Sequence, residues 1–99
     1  VLARARGFAA ASSDVLRMRV KAQVSDFGRL GGGVLARARG GLCTELDAVG
    51  EAATCNAVKA LAVGNAFAAE EGFAGMAFMP ELAAEGDQKL VRLTASPRR

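Results

Sequence analysis

The stretch from residue 16 to residue 49, LRMRVKAQVSDFGRLGGGVLARARGGLCTELDAV, determines the fold that the sequence predicts. Its first part, 16–22, alternates between apolar and basic side chains, which is typical of a strand with one buried face. Ser25-Asp26 offers a helix N-cap, and residues 27–39 carry apolar side chains at helical spacing. Residues 44–49 alternate again. A strand, a helix and a second strand follow one another, so the sequence predicts a β-α-β unit.

The predicted first helix contains Gly28 and the run Gly31-Gly32-Gly33, and each glycine costs up to about 1 kcal/mol relative to alanine. Packing must therefore hold this helix, and the glycines would permit a close approach between the helix and the sheet. The run lacks the Gly-Lys-Ser/Thr of a phosphate-binding loop, so that interpretation fails. The helix N-terminus near Ser25 is either an anion site or an ordinary cap.

Residues 51–69, which follow a turn at Gly50, form the clearest helix. The side of this helix that faces the core is predicted to carry Cys55, Val58, Leu61 and Ala62. Because the chain has no histidine to complete a metal site, Cys43 and Cys55 are expected to be small buried hydrophobic residues. The sequence leaves open whether they form a disulfide.

The last part of the chain predicts two strands in a hairpin. Residues 73–79 are almost wholly apolar and precede Pro80, which predicts a buried strand that ends at the proline. Gly86-Asp87 signals a turn, and residues 89–95 predict the final strand.

These elements predict a two-layer α/β (α+β) domain in the order β-α-β-α-β-β, with one mixed four-stranded sheet and two helices on one face. The domain is expected over residues 15–99, with residues 1–14 as an N-terminal extension or linker. No apolar run reaches the roughly 18 residues that a membrane helix needs, so no membrane partner is expected.

The chemistry of the side chains argues against an enzyme. Without histidine, the chain lacks the commonest general base and the commonest metal ligand. Glu45 and Asp47 lie on the face of a strand that is predicted to be open, where no burial would raise a pKa. The sequence therefore predicts a protein with no catalytic residues, no cofactor and no metal.

Charge is unevenly distributed along the chain. Residues 1–40 carry +6, residues 41–88 carry −7 and residues 89–99 carry +4, giving the net +3. If the basic parts converge, they would suit a polyanion; if the acidic middle folds onto them, the charges cancel. The same alternatives apply to the basic row Arg17, Arg19 and Lys21. It could contact phosphates, or it could form a cross-strand ladder with Glu45 and Asp47 on a parallel neighbour.

Residues 16–99 resemble the stage V sporulation protein S family, whose fold is Alba-like. The second helix and its turn, from Gly50 to Phe67, carry the most specific similarity, and it is centred on Ala57-Val58-Lys59-Ala60. Pro80 and the closing LTASPR, 93–98, also resemble the family. The chain departs from the family at Gln23, where lysine is usual, at Cys55-Asn56, where Asn-Gln is usual, at Asn65, where a basic residue is usual, and in a shorter final hairpin.

The resemblance implies a non-enzymatic protein, often dimeric, that binds DNA or RNA through the hairpin and the loop after the first strand. Together with the charge pattern it predicts weak, sequence-independent nucleic-acid binding. The residues predicted to bind are Arg17, Arg19, Lys21, Arg29 and Lys89. The departures from the family and the acidic middle favour the alternative, a structural or adaptor subunit of a larger protein assembly. A homodimer or a larger assembly is expected in either case.

Overall fold

The computed structural model describes residues 15–24 and 26–98 and arranges them in six elements. The strands are β1 (Leu16–Val20), β2 (Thr44–Ala48), β3 (Met76–Glu85) and β4 (Gln88–Pro97), and the helices are α1 (Phe27–Arg39) and α2 (Gly50–Glu70). The predicted extension over residues 1–14 and the predicted capping role of Ser25 lie outside the described residues.

The predicted order β-α-β-α-β-β and the two-layer class are confirmed. One mixed sheet has the strand order β1-β2-β4-β3, in which β1 and β2 are parallel and β4 is antiparallel to both of its neighbours. The core lies between this sheet and the two helices, and it includes Val20, Leu46 and Leu93 from the sheet and Val34, Leu35 and Leu61 from the helices.

α1 spans the predicted residues because local signals mark both of its ends. The Asp26 side chain accepts a hydrogen bond from the backbone N–H of Arg29 at 2.9 Å, which caps the first turn. Gly40 follows the last turn. The predicted stripe is confirmed: Val34, Leu35 and Ala38 are buried and Leu30 packs partly against the core.

The glycine run of α1 allows a close approach between the two helices, not between helix and sheet. A Cβ on Gly31 would lie 2.3 Å from the carbonyl oxygen of Ala60 and 2.9 Å from the nitrogen of Gly64. A Cβ on Gly64 would lie 2.8 Å from the carbonyl oxygen of Gly31. Gly32 and Gly33 have no such neighbour within 4 Å among residues 15–24 and 26–98. One glycine from each helix therefore sets the spacing between the helices.

The core-facing side predicted for α2 is mostly wrong. Leu61 is buried as predicted, but Cys55, Val58 and Ala62 are exposed. The buried side consists mainly of small residues: Ala53, Ala57, Ala60, Gly64 and Ala68. Alanine occurs on all sides of α2, so its sequence shows little difference in hydrophobicity between one side and another. The side that contacts α1 is the one that carries the smallest side chains. Both cysteines are free; Cys43 is half-buried, and the predicted burial of Cys55 is wrong.

β3 differs most from its prediction. It begins at Met76, continues through Pro80 to Glu85, and exposes most of its side chains. β3 is an edge strand, where a proline is tolerated because its nitrogen faces away from the neighbouring strand. The turn predicted at Gly86-Asp87 is confirmed, and it joins β3 to β4.

Candidate nucleic-acid interface

The sheet face that points away from the helices carries ion pairs along the predicted basic row. In the parallel register Arg17 lies beside Glu45, and Arg19 lies beside Asp47. The Nε and Nη2 atoms of Arg17 each lie 2.8 Å from Oε1 of Glu45. At Arg17, therefore, the cross-strand pairing that the alternation allows is formed.

Asp47 and Arg92 form the least exposed ion pair among the described residues. Arg92 donates from Nε to Oδ1 of Asp47 at 2.7 Å and from Nη2 to Oδ2 at 3.0 Å. Asp47 is 2% exposed, so the prediction that it lies in the open is wrong: Arg92 and, at 4.0 Å, Arg17 cover it. The hydrogen bond to Asp47 raises the pKa of Arg92 above its ordinary value. The charges of Asp47 and Arg92 are thus both engaged in an ion pair within the protein.

Arg19 is paired with a residue that is distant in the sequence. Its Nη2 lies 2.5 Å from Oε1 of Glu85, at the turn end of the β3–β4 hairpin. Because β1 and β3 are the two outer strands of the sheet, this contact means that the end of the hairpin curls over the sheet face that points away from the helices, here called the open face. Leu90, next to this end of the hairpin, is only 3% exposed.

Four cations lie near the end of the sheet where β1 finishes, and none has a carboxylate within 4.0 Å among residues 15–24 and 26–98. We call Lys21, Arg29, Lys59 and Lys89 the β1-end cations. Lys21 follows β1, and Arg29 lies in the first turn of α1. The register that aligns Val20 with Ala48 and Ala48 with Val91 places Lys89 at the same end of the sheet.

α2 positions the loop that carries Lys21. Nδ2 of Asn56 donates to the carbonyl oxygens of Lys21 at 3.1 Å and of Ala22 at 2.9 Å. Lys59 lies one helical turn beyond Asn56, and its Nζ is 5.8 Å from the centroid of the Phe27 ring, within cation–π range. Lys59 is not among the residues that the sequence predicts to bind, because it lies within the acidic segment 41–88. Its position one turn after Asn56 becomes informative only once the contact between Asn56 and the loop that carries Lys21 is known.

Three of the five residues predicted to bind nucleic acid are thus brought to one end of the sheet, namely Lys21, Arg29 and Lys89. The positive N-terminal end of α1 adds to their field. Asp26, Glu51 and Asp87 lie near the same end and reduce it. The β1 end is therefore positive but only moderately so.

Cys43 lies on the open face near Arg17 and Glu45. Burial is the main cause that raises the pKa of its thiol. A smaller fraction of thiolate at neutral pH makes Cys43 a weak nucleophile.

No helix within the described residues is long and apolar enough to cross a membrane. Searches with the chain found no matching protein-family model and no matching curated protein.

Proposed function

We propose that this protein binds the phosphate backbone of nucleic acid weakly and without sequence preference, at the end of the sheet where β1 finishes. The observation that supports the proposal is that the β1-end cations have no carboxylate partner among the described residues, whereas Arg17 and Arg19 on the sheet face are paired. Lysine and arginine that are not committed to internal ion pairs can neutralise phosphates. The proposed contacts therefore keep Lys21, Arg29 and Lys89, add Lys59, and omit the two paired arginines.

The number of cations sets the expected response to salt. Each phosphate contact contributes about −0.9 to the slope of log affinity against log salt on duplex DNA, so four contacts give at most about −3.6. The neighbouring carboxylates lower the affinity further, which is why weak binding is expected. A duplex of mixed sequence and its scrambled form should bind equally.

The test compares two cations at opposite ends of the sheet, neither of which has a carboxylate within 4.0 Å in the described part of the chain. Fluorescence anisotropy with a labelled duplex is measured across a salt series for the native chain, for Lys21→Gln and for Arg98→Gln. Arg98 is the matched control because its backbone bonds to Gly75, at the far end of the sheet. Lys21→Gln should reduce the slope by about 0.9, and Arg98→Gln should leave it unchanged.

A charge-neutral double variant tests the sheet face. Arg17→Gln with Glu45→Gln removes one ion pair without changing the net charge, and binding should not change. The proposal is wrong if no binding occurs at low salt, if the salt response is flat, or if Arg98→Gln acts like Lys21→Gln.

The apolar surface of β3 favours a second candidate function, an adaptor in a protein assembly. Met79 is 68% exposed and Leu82 is 88% exposed, although both are large apolar residues. Co-purification from a nuclease-treated extract separates the two functions. Partners that disappear with nuclease support nucleic-acid binding, whereas partners that persist and require Leu82 support an adaptor.

A further inference from the structure

Among the described residues, no strand covers the backbone groups on the outer edge of β3. The two-residue turn Gly86-Asp87 makes Glu85 and Gln88 a hydrogen-bonded pair, and such pairs alternate along an antiparallel ladder. The odd-numbered residues of β3 therefore bond to β4. The N–H of Arg98 donates to the carbonyl of Gly75 at 2.9 Å, which follows the same alternation. The even-numbered residues consequently direct their N–H and C=O groups outward.

A side chain already covers the first position of this edge. Oδ1 of Asn65 accepts the N–H of Met76 at 2.8 Å, and Nδ2 of Asn65 donates to the Met76 carbonyl at 3.1 Å. The Asn65 amide thus occupies the place of a peptide group from a neighbouring strand. Beyond it, the alternation directs the amides of Phe78, Leu82 and Ala84 away from β4, and no other described strand pairs with them; Pro80 offers only its carbonyl.

The open amides lie in a strand with exposed apolar side chains. Leu82 is 88% exposed, Met79 68% and Phe78 39%. Edge strands are commonly protected by charged side chains, especially lysine, and by proline; β3 has no lysine or arginine, and its charged residues are Glu81 and Glu85. Pro80 is the one residue that interrupts its row of outward donors.

We propose that β3 pairs antiparallel with β3 of a second copy of this chain, about a two-fold axis at Leu82. An isologous contact requires a surface that complements itself, and the register decides whether β3 does. An axis at Glu81 would oppose the two Glu81 carboxylates. An axis at Pro80 would place Ala84 against the partner's Met76, whose amide groups Asn65 already occupies.

The axis at Leu82 avoids both conflicts. The two Leu82 residues exchange a pair of backbone hydrogen bonds, and the N–H of each Ala84 donates to the carbonyl of the partner's Pro80. Glu81 then lies opposite the partner's Ala83, so no like charges meet. The pairing joins two four-stranded sheets into one, and it does not depend on nucleic-acid binding.

Disulfide trapping tests the axis directly. In a background with Cys43→Ser and Cys55→Ser, Leu82→Cys should form a crosslinked dimer of twice the 10.1 kDa chain mass under mild oxidation. Residues in a hydrogen-bonded antiparallel pair have Cα atoms about 5.5 Å apart, which suits a disulfide. Ala84→Cys is the matched control: the two copies of residue 84 lie about 13 Å apart along the strands and should not crosslink.

Sedimentation equilibrium without nucleic acid tests the association itself. The native chain should approach the dimer mass as concentration rises, and Leu82→Lys should remain a monomer because it places two ammonium groups at the axis. Val58→Lys makes the same change at an exposed residue of α2 and should still dimerise. Because Leu82 is so exposed, its replacement should not unfold the chain, which far-UV circular dichroism verifies.

The proposal fails if the native chain stays monomeric at the highest soluble concentration, or if Leu82→Lys dimerises as the native chain does. Equal crosslinking of Ala84→Cys and Leu82→Cys would overturn the axis. So would crosslinking of Glu81→Cys in preference to Leu82→Cys.

Discussion

Replacing Gly31 with alanine should destabilise the protein, although alanine is the better helix former. The added Cβ would lie 2.3 Å from the Ala60 carbonyl oxygen and 2.9 Å from the Gly64 nitrogen. Both atoms belong to backbone inside a helix, so no side chain can rotate away and the two helices must separate. Overpacking of this kind costs about 3 kcal/mol at the upper end of its usual range. The gain of about 1 kcal/mol in helix propensity offsets part of that cost.

The net effect expected for Gly31→Ala is therefore a loss of about 2 kcal/mol in the free energy of unfolding. Gly33 is the matched control, because it lies in the same helix and a Cβ there meets no described residue within 4 Å. Gly33→Ala should raise the free energy of unfolding by up to about 1 kcal/mol.

Urea unfolding followed by far-UV circular dichroism, with linear extrapolation, measures both variants. For a domain of this size, a change of 1 kcal/mol in the free energy of unfolding corresponds to about 4–8 °C in Tm. In thermal unfolding, therefore, the Tm values of the two variants should shift in opposite directions by amounts that are easily resolved. If Gly31→Ala is as stable as Gly33→Ala, glycine at position 31 does not set the helix spacing.

Three further changes test other contacts. Asp47→Ala should lower the free energy of unfolding by about 3 kcal/mol in urea titrations, because it leaves Arg92 largely buried without its partner; a loss below about 1 kcal/mol would mean that solvent replaces the pair. Asn65→Ala should cost about 2 kcal/mol in the same assay, since two hydrogen bonds to Met76 are lost, and an unchanged midpoint would count against a capping role for this amide. Burial raises the pKa of the Cys43 thiol, so Cys43 should alkylate more slowly near neutral pH in the folded chain than in urea. The alkylation rate of the folded chain should still rise with pH where the rate of the unfolded chain has levelled off. Equal rates in the two states, measured by mass spectrometry, would contradict this.

The sequence predicts well the helices, strands and turns that are marked by residues within or next to them. The bounds of α1 follow from Asp26 before it, Gly40 after it and a clear apolar stripe between them. β2 follows from its alternation, and β1 differs from its prediction only in ending earlier, at Val20. The hairpin turn follows from Gly86-Asp87, because few residue pairs fit its geometry.

Features that depend on tertiary contacts could not be predicted in this way. The orientation of α2 depends on its contact with α1, and a helix composed largely of alanine does not reveal which side that contact uses. An apolar run such as 76–79 looks the same in a buried strand and in an exposed edge, and Pro80 fits the end of one as well as the middle of the other. For the candidate site, the alternation predicted a partner for Arg17, but nothing local indicates that Glu85 reaches Arg19.

The closest ion pairs within the described part of the chain join residues 28, 66, 32 and 45 positions apart: Arg17 with Glu45, Arg19 with Glu85, Arg39 with Glu71, and Arg92 with Asp47. Each pair connects a basic segment to the acidic one, while charges within a segment mostly repel. Before the chain folds, electrostatic forces therefore oppose collapse within a segment and draw distant segments together. Added salt screens both the repulsion within a segment and the attraction between segments, so the refolding rate should change with ionic strength; a rate independent of salt would mean that these charges do not act before the chain folds.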